Sequence, residues 1–125
     1  MRSEEQKNIV VIVEDDPSVS LSIQRLLRAT GFCAVVFPSA EALLNTMVVT
    51  TARCLVLDID LPGLSGFELY QRLLEADAKL PVIFITGDDH PSWPERARQL
   101  GAIAYLLKPV PGRELVAAVT RVLGG

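Results

Sequence analysis

The sequence predicts an α/β domain, a parallel five-stranded sheet of order 2-1-3-4-5 doubly wound by helices in a (βα)5 chain. Three observations carry this prediction. Five short stretches of Val, Ile, Leu and Phe run unbroken instead of alternating with polar residues, as strands buried on both faces require. A helical pattern follows each stretch, so strand and helix alternate along the chain. Two mononucleotide-type halves within 125 residues suit that strand order.

The first apolar run, "IVVIV" at 9–13, leads to a helix over 17–30. Asp16 is its natural N-cap, Pro17 its first residue, and Val19, Ile23, Leu26 and Leu27 share one face. The second run, "CAVVF" at 33–37, precedes a helix over 39–48, where Ala40, Leu43, Leu44, Met47 and Val48 form a stripe behind Ser39. The third, "CLVL" at 54–57, precedes a helix over 66–76, whose Ser65 and Glu68 make a capping-box pattern before Leu69, Leu73 and Leu74. The fourth, "VIFIT" at 82–86, leads to a short helix over 94–100, delayed by Pro91 and Pro94 and ended by Gly101. The fifth, "IAYLL" at 103–107, precedes a helix over 111–123 with Leu115, Val119, Val122 and Leu123 on one face. There is no internal repeat, linker or low-complexity segment. We expect one domain over 1–125, with a core at about 8–123; the terminal "GG" reads as a cap, a boundary or the start of a linker.

Composition narrows the function. A chain of this length buries roughly two-thirds of its unfolded surface and needs no staple. Twelve basic and fifteen acidic residues give a net charge of −3, and no basic patch is visible, so no direct nucleic-acid binding is expected. Cys33 and Cys54 lack C-x-x-C spacing and read as small core residues. His90 alone makes no zinc site and reads as solvated; Trp93 beside it is a loop anchor or a partner contact. The charged "MRSEEQKN" and the five-residue run after it are too short for a signal peptide or membrane span, which points to a cytoplasmic location.

The strand ends carry the chemistry. Glu14-Asp15-Asp16 follows the first strand, Asp58 follows the third, Thr86 ends the fourth and Lys108 follows the fifth. In a parallel sheet these ends share one edge, and in the order 2-1-3-4-5 the first and third strands meet at the switch point where ligands bind. Clustered carboxylates raise one another's pKa values, and a hard cation relieves the conflict. Mg²⁺ takes oxygen ligands and usually combines one or two carboxylates with phosphate oxygens. Thr86 and Lys108 suit a phosphoryl group, and a carboxylate nucleophile gives an aspartyl-phosphate.

These residues resemble a known family. "VIVEDDP", "LVLDIDLPGLSG", "VIFITG" and "GAIAYLLKP" are similar to the motifs of the receiver domains of two-component response regulators, which have a flavodoxin-like fold, over residues 8–123. Asp58, Pro62 and Gly66 reproduce the family's D-x-x-x-P-x-x-x-G spacing. The resemblance implies that Asp58 is the phosphoacceptor and that Asp15 binds Mg²⁺ directly, with Glu14 acting mostly through water. It implies a further metal ligand in the Asp60 backbone carbonyl, and Thr86 and Lys108 as the switch hydroxyl and phosphate-pairing lysine. Tyr105 would change rotamer with Thr86, and Lys108–Pro109 would be cis. Side chains of Asp60 and Asp88 would flank the phosphoryl group and alter its lifetime.

The implied function is a phosphorylation switch and not an enzyme. A histidine kinase or phosphotransfer protein would phosphorylate Asp58, and the surface of the fourth helix, fifth strand and fifth helix would control an output domain or partner. A phosphorylation-dependent homodimer through an apolar patch of Tyr105, Trp93 and Val110 is a further expectation. "FPSAEALL" resembles receivers attached to LuxR-type DNA-binding domains. Glu14, Gly87 and Val110 depart from commoner family residues. Three rivals stand beside this reading. "DIDLP" imitates the D-x-D of haloacid-dehalogenase phosphatases, but there the pair ends the first strand, usually with Thr or Val at the place of Pro62. A flavin protein of the same fold would want a hydroxyl- and glycine-rich loop where Glu14-Asp15-Asp16 repels phosphate. A docking module that takes no phosphate is the third.

Overall fold

The computed structural model describes residues 8–124; most of the charged N-terminal run and the last residue of the terminal "GG" lie outside this range. Strands β1 (Ile9–Val13), β2 (Cys33–Phe37), β3 (Cys54–Asp58), β4 (Val82–Thr86) and β5 (Ala104–Leu107) form one parallel sheet of order β2-β1-β3-β4-β5. Helices α1 (Pro17–Ala29), α2 (Ala40–Leu44), α3 (Gly66–Glu75), α4 (Trp93–Gln99) and α5 (Gly112–Leu123) follow the strands in turn.

Alternate residues of each central strand feed opposite cores, which is why the runs read as continuously apolar. Val11, Val13, Leu55, Leu57, Val82 and Phe84 face Leu43 of α2, Leu69 and Leu73 of α3 and Ala97 of α4. Val10, Ile12, Val56, Ile83 and Ile85 face Ile23 and Leu27 of α1 and Leu115 and Val119 of α5. Each such side chain contributes about 1.5–3 kcal/mol when fully buried. Cys54 sits in this second core, where burial pushes its thiol up to about 12; Cys33 is half-buried, and both are free.

The expected caps form. Asp16 accepts the Ser18 amide at 2.9 Å, and Ser65 and Glu68 exchange reciprocal bonds of 3.1 and 2.9 Å. Two helices depart furthest from expectation, while the others shift by one residue at one end. The predicted stripe over 39–48 is cut at Leu44, and Met47 is exposed. A β-branched run, Thr46 and then Val48 to Thr51, is poor helix material. Its Thr46, Thr50 and Thr51 hydroxyls bond back to nearby carbonyls, and a 3₁₀ turn at Val48–Thr50 replaces the helix. The fourth helix begins one residue earlier than predicted, at Trp93, so that Pro94 lies inside its first turn, where its missing N–H costs nothing.

The topology creates one crevice. β1 pairs with β2 on one side and β3 on the other, while α1 and α3 depart to opposite faces. The loops after β1 and β3 therefore diverge at the carboxyl edge of the sheet.

Candidate functional site

The carboxylates predicted from the strand ends meet in this crevice. One oxygen each from Glu14, Asp15 and Asp58 lies within 4.8 Å of the others. Glu14 and Asp58 are 1 % exposed, whereas Asp15 faces solvent. Lys108 reaches in from the β5 end, its Nζ 3.1 Å from Asp58 Oδ2 and 2.8 Å from Glu14 Oε1. Although burial pulls the ammonium down, its contacts with these two carboxylates hold it above the ordinary lysine value.

Asp58 owes its orientation to two contacts. Its Oδ1 accepts the Asp60 amide at 3.0 Å, and its Oδ2 accepts from Lys108. Behind it, the start of α3 touches the β3 backbone. A Cβ on Gly66 would stand 2.5 Å from the Asp58 carbonyl oxygen, so this position accepts only glycine without a shift. That contact is the physical reason for the spacing between Asp58 and Gly66.

Glu14 is the most perturbed group of the site. Burial pushes its carboxyl up to about 7, against the opposing pull of Lys108 and the Asp16 amide, and the Asp58 charge adds to the rise. Its Oε2 accepts the Asp16 amide at 3.0 Å, while the buried Oε1 has the Lys108 ion pair and no well-angled hydrogen bond. Two buried carboxylates, an exposed third and one ammonium leave net negative charge in the crevice. This donor set of hard oxygens fits a divalent cation of the Mg²⁺ type.

Thr86 is buried, and its Oγ1 lies 2.7 Å from Asp60 Oδ2. The same oxygen accepts the Asp88 amide at 3.0 Å. Tyr105 is half-buried and donates its hydroxyl to Asp89 Oδ1 at 3.3 Å. Burial, then the Asp89 carboxylate, with smaller parts from Asp60 and Asp88, pushes this phenol up to about 12. The Lys108–Pro109 bond is cis. A Cβ on Gly87 would meet only the Lys108 Cδ at 3.7 Å, so space does not demand glycine there.

The structure divides other expected groupings. Trp93 packs with Tyr105 against the α2–α4 core, edge-on to Phe67 at 6.1 Å, whereas Val110 joins the α1–α5 core. Trp93 and Tyr105 thus pack on one core and Val110 on the other. Trp93 serves as an anchor of α4, and exposed His90 stacks on it at 5.3 Å. Two contacts of the site escape sequence reasoning. Glu41 of α2 accepts the Leu64 amide at 3.1 Å and braces the Gly63 turn, and no local signal links positions that far apart. The sequence places the Asp60 side chain at the site but gives no sign of its bond to Thr86. Among the described residues no helix is long and apolar enough to cross a membrane.

Comparison with known proteins agrees with this geometry. Residues 10–120 match the family model described as response regulator receiver domain. Nodulation protein W of Bradyrhizobium diazoefficiens is 41 % identical over 113 residues, which are 90 % of this chain and 50 % of that protein. The transcriptional regulatory protein FixJ of Azorhizobium caulinodans is 35 % identical over 115 residues, 92 % of this chain and 54 % of FixJ. The chain thus spans about half the length of these curated relatives. Among solved structures, the response regulator StyR superposes with a TM-score of 0.86 at 37 % identity, covering 94 % of this chain and 60 % of StyR. A response regulator receiver protein from Burkholderia phymatum superposes with a TM-score of 0.80 at 40 % identity, covering 94 % of this chain and 96 % of that one.

Proposed function

The chain belongs to the response regulator receiver family of two-component signalling, and from that premise we propose that it is a Mg²⁺-dependent phosphorylation switch with Asp58 as phosphoacceptor. The observation that carries this reading is the meeting of Glu14, Asp15 and Asp58 within 4.8 Å, with Lys108 held 3.1 Å from the Asp58 carboxylate. Glu14, Asp15, Asp58 and the Asp60 carbonyl would hold Mg²⁺. Bound there, the ion neutralises carboxylate and phosphoryl oxygens.

The donor is a phosphohistidine of a histidine kinase or phosphotransfer protein. A carboxylate oxygen of Asp58 forms the new O–P bond as the N–P bond of the donor breaks, its electron pair returning to the imidazole nitrogen. The chain contributes mainly position and charge, as phosphoryl transfer requires. The Asp60 amide fixes one Asp58 oxygen, and Lys108 balances charge on the other and then on the phosphoryl group. Thr86 donates its hydroxyl to a phosphoryl oxygen, Tyr105 follows, and the α4–β5–α5 face changes to control an output domain or partner. Asp60 and Asp88 set how long the phosphoryl group survives.

Labelling by a small phosphodonor, acetyl phosphate in Mg²⁺, tests the assignment. Wild type is expected to gain an acyl phosphate that alkali or hydroxylamine releases and that peptide mass spectrometry places on Asp58. Asp58→Asn is expected to lose it, because an amide is a far weaker nucleophile. Asp60→Asn keeps it, since substitution leaves the backbone carbonyl in place. Asp15→Asn loses most of it and recovers part in excess Mg²⁺. Phosphate on Asp60, or equal labelling of Asp58→Asn, overturns the assignment. An unlabelled wild type leaves the docking-module reading.

A further inference from the structure

The side chain of Asp60 and the hydroxyl of Thr86 are 26 positions apart and share a 2.7 Å hydrogen bond. The β3–β4 ladder brings them together: Asp58 lies opposite Ile85, and the Ile59 amide extends the ladder to the Ile85 carbonyl at 2.9 Å. Asp60 therefore leaves the sheet beside Thr86. A hydroxyl has one proton. Its two acceptors within reach are Asp60 Oδ2 at 2.7 Å and the Asp88 carbonyl at 3.0 Å, and the shorter contact is to the charged group. While Thr86 donates to Asp60, it cannot donate to anything bound at Asp58.

We propose that the Asp60 carboxylate is a latch: it holds the Thr86 hydroxyl in the unphosphorylated state and competes with the phosphoryl group for its single proton. This inference rests on the reading of Asp58 as phosphoacceptor and assigns the Asp60 side chain a positioning role, separate from that of its backbone. The two parts of Asp60 are separable. Its amide bonds Asp58 Oδ1 whatever the side chain is.

The latch also explains how release of Thr86 reaches the surface. Thr86 Oγ1 accepts the Asp88 amide at 3.0 Å, so a Thr86 that turns toward Asp58 abandons that amide. The next residue, Asp89, accepts the Tyr105 hydroxyl. Movement of the 87–89 loop therefore frees the phenol on the edge strand. One proton, held by Asp60 or by the phosphoryl group, selects between two arrangements of Thr86, the loop and Tyr105.

The test is a titration of the chain with fluoroberyllate in Mg²⁺, a phosphoryl mimic, followed by the fluorescence of Trp93 and by amide NMR. Asp60→Ala is expected to bind about tenfold tighter than wild type, the order of a lost hydrogen bond to a charged acceptor. Asp60→Asn, which keeps an acceptor but not the charge, falls between. Removing a negative charge also eases anion binding through space, so the cycle is completed with Thr86→Val. In that background the latch has nothing to hold, and the gain from Asp60→Ala is expected to shrink to less than about twofold. An undiminished gain in the Thr86→Val background means simple repulsion and overturns the latch, as does no gain from Asp60→Ala in the parent chain. Wild type that binds no fluoroberyllate overturns the phosphoryl-switch reading itself. A second readout needs no mimic: methyl couplings should show one Thr86 rotamer in the free wild type and averaging in free Asp60→Ala. A fixed rotamer in both also overturns the latch.

Discussion

Glu14 shows what a buried side chain without enough counter-charge does to its protein. Its carboxyl is raised from the ordinary 4.5 to about 7, chiefly by burial. The folded chain therefore holds this proton more tightly than the unfolded chain does. The stabilisation is fully present below about pH 4.5, falls away between 4.5 and 7, and is lost above 7. Glu14→Gln removes the penalty of ionisation. In chelator, its midpoint of thermal unfolding is expected to gain on wild type by on the order of 5 °C between pH 5 and pH 8. Circular dichroism melts at both pH values check this, and an offset that does not change with pH would count against it. Mg²⁺, binding the ionised form, is expected to remove the advantage.

At the scale of elements, α3 is the piece that holds Asp58 in place. Its N-terminus carries a complete capping box, and its first residue, Gly66, lies against the Asp58 backbone. The two features fail differently. Ser65→Ala leaves the Glu68 amide without its partner and is expected to cost about 1 kcal/mol in urea unfolding, with labelling of Asp58 retained. Gly66→Ala drives a methyl group to 2.5 Å from a backbone oxygen, which has no rotamer to yield. It is expected to cost about 1–3 kcal/mol and also to slow labelling, because relief requires β3 and α3 to separate. Equal labelling rates in the two variants would break the link between this contact and the site. The short α2 has a comparable supporting role, since Glu41 reaches across to the loop after β3.

The whole molecule gathers like charge at one edge of its sheet and leaves β5 at the side. Mg²⁺ binding to the folded state alone stabilises by mass action. At about 100 times its Kd, the ion is expected to add roughly 2.7 kcal/mol, and Asp15→Asn is expected to lose most of this at the same concentration. Calorimetry with and without chelator measures it. Among the described residues β5 pairs with β4 alone, and Leu107 at its end is 43 % exposed beside the half-buried Tyr105. Fluoroberyllate in Mg²⁺ is expected to raise the sedimentation coefficient toward that of a dimer, and Leu107→Asp to prevent the rise. A monomer in both states, with no partner competing at this face, would remove it as the output surface.

The strands, their parallel order and the edge on which the acidic residues gather are all legible in the amino-acid sequence. Those properties follow from local apolar runs, caps such as Asp16 and Ser65, and the rule that parallel strands end on one side. Asp58, Thr86 and Lys108 were legible for the same reason: each stands at the end of a strand. The end of α2 was less legible, because an apolar stripe continues in Met47 and Val48 while a run of β-branched residues stops the helix. Tertiary structure alone decided the rest. The Trp93, Tyr105 and Val110 side chains divide between two cores, because the sheet separates its two faces. The Glu14 shift requires burial that only the folded chain supplies. The Asp60–Thr86 bond requires the β3–β4 register, because a hydrogen bond is set by distance and angle, and neither is written in the spacing of residues along a chain.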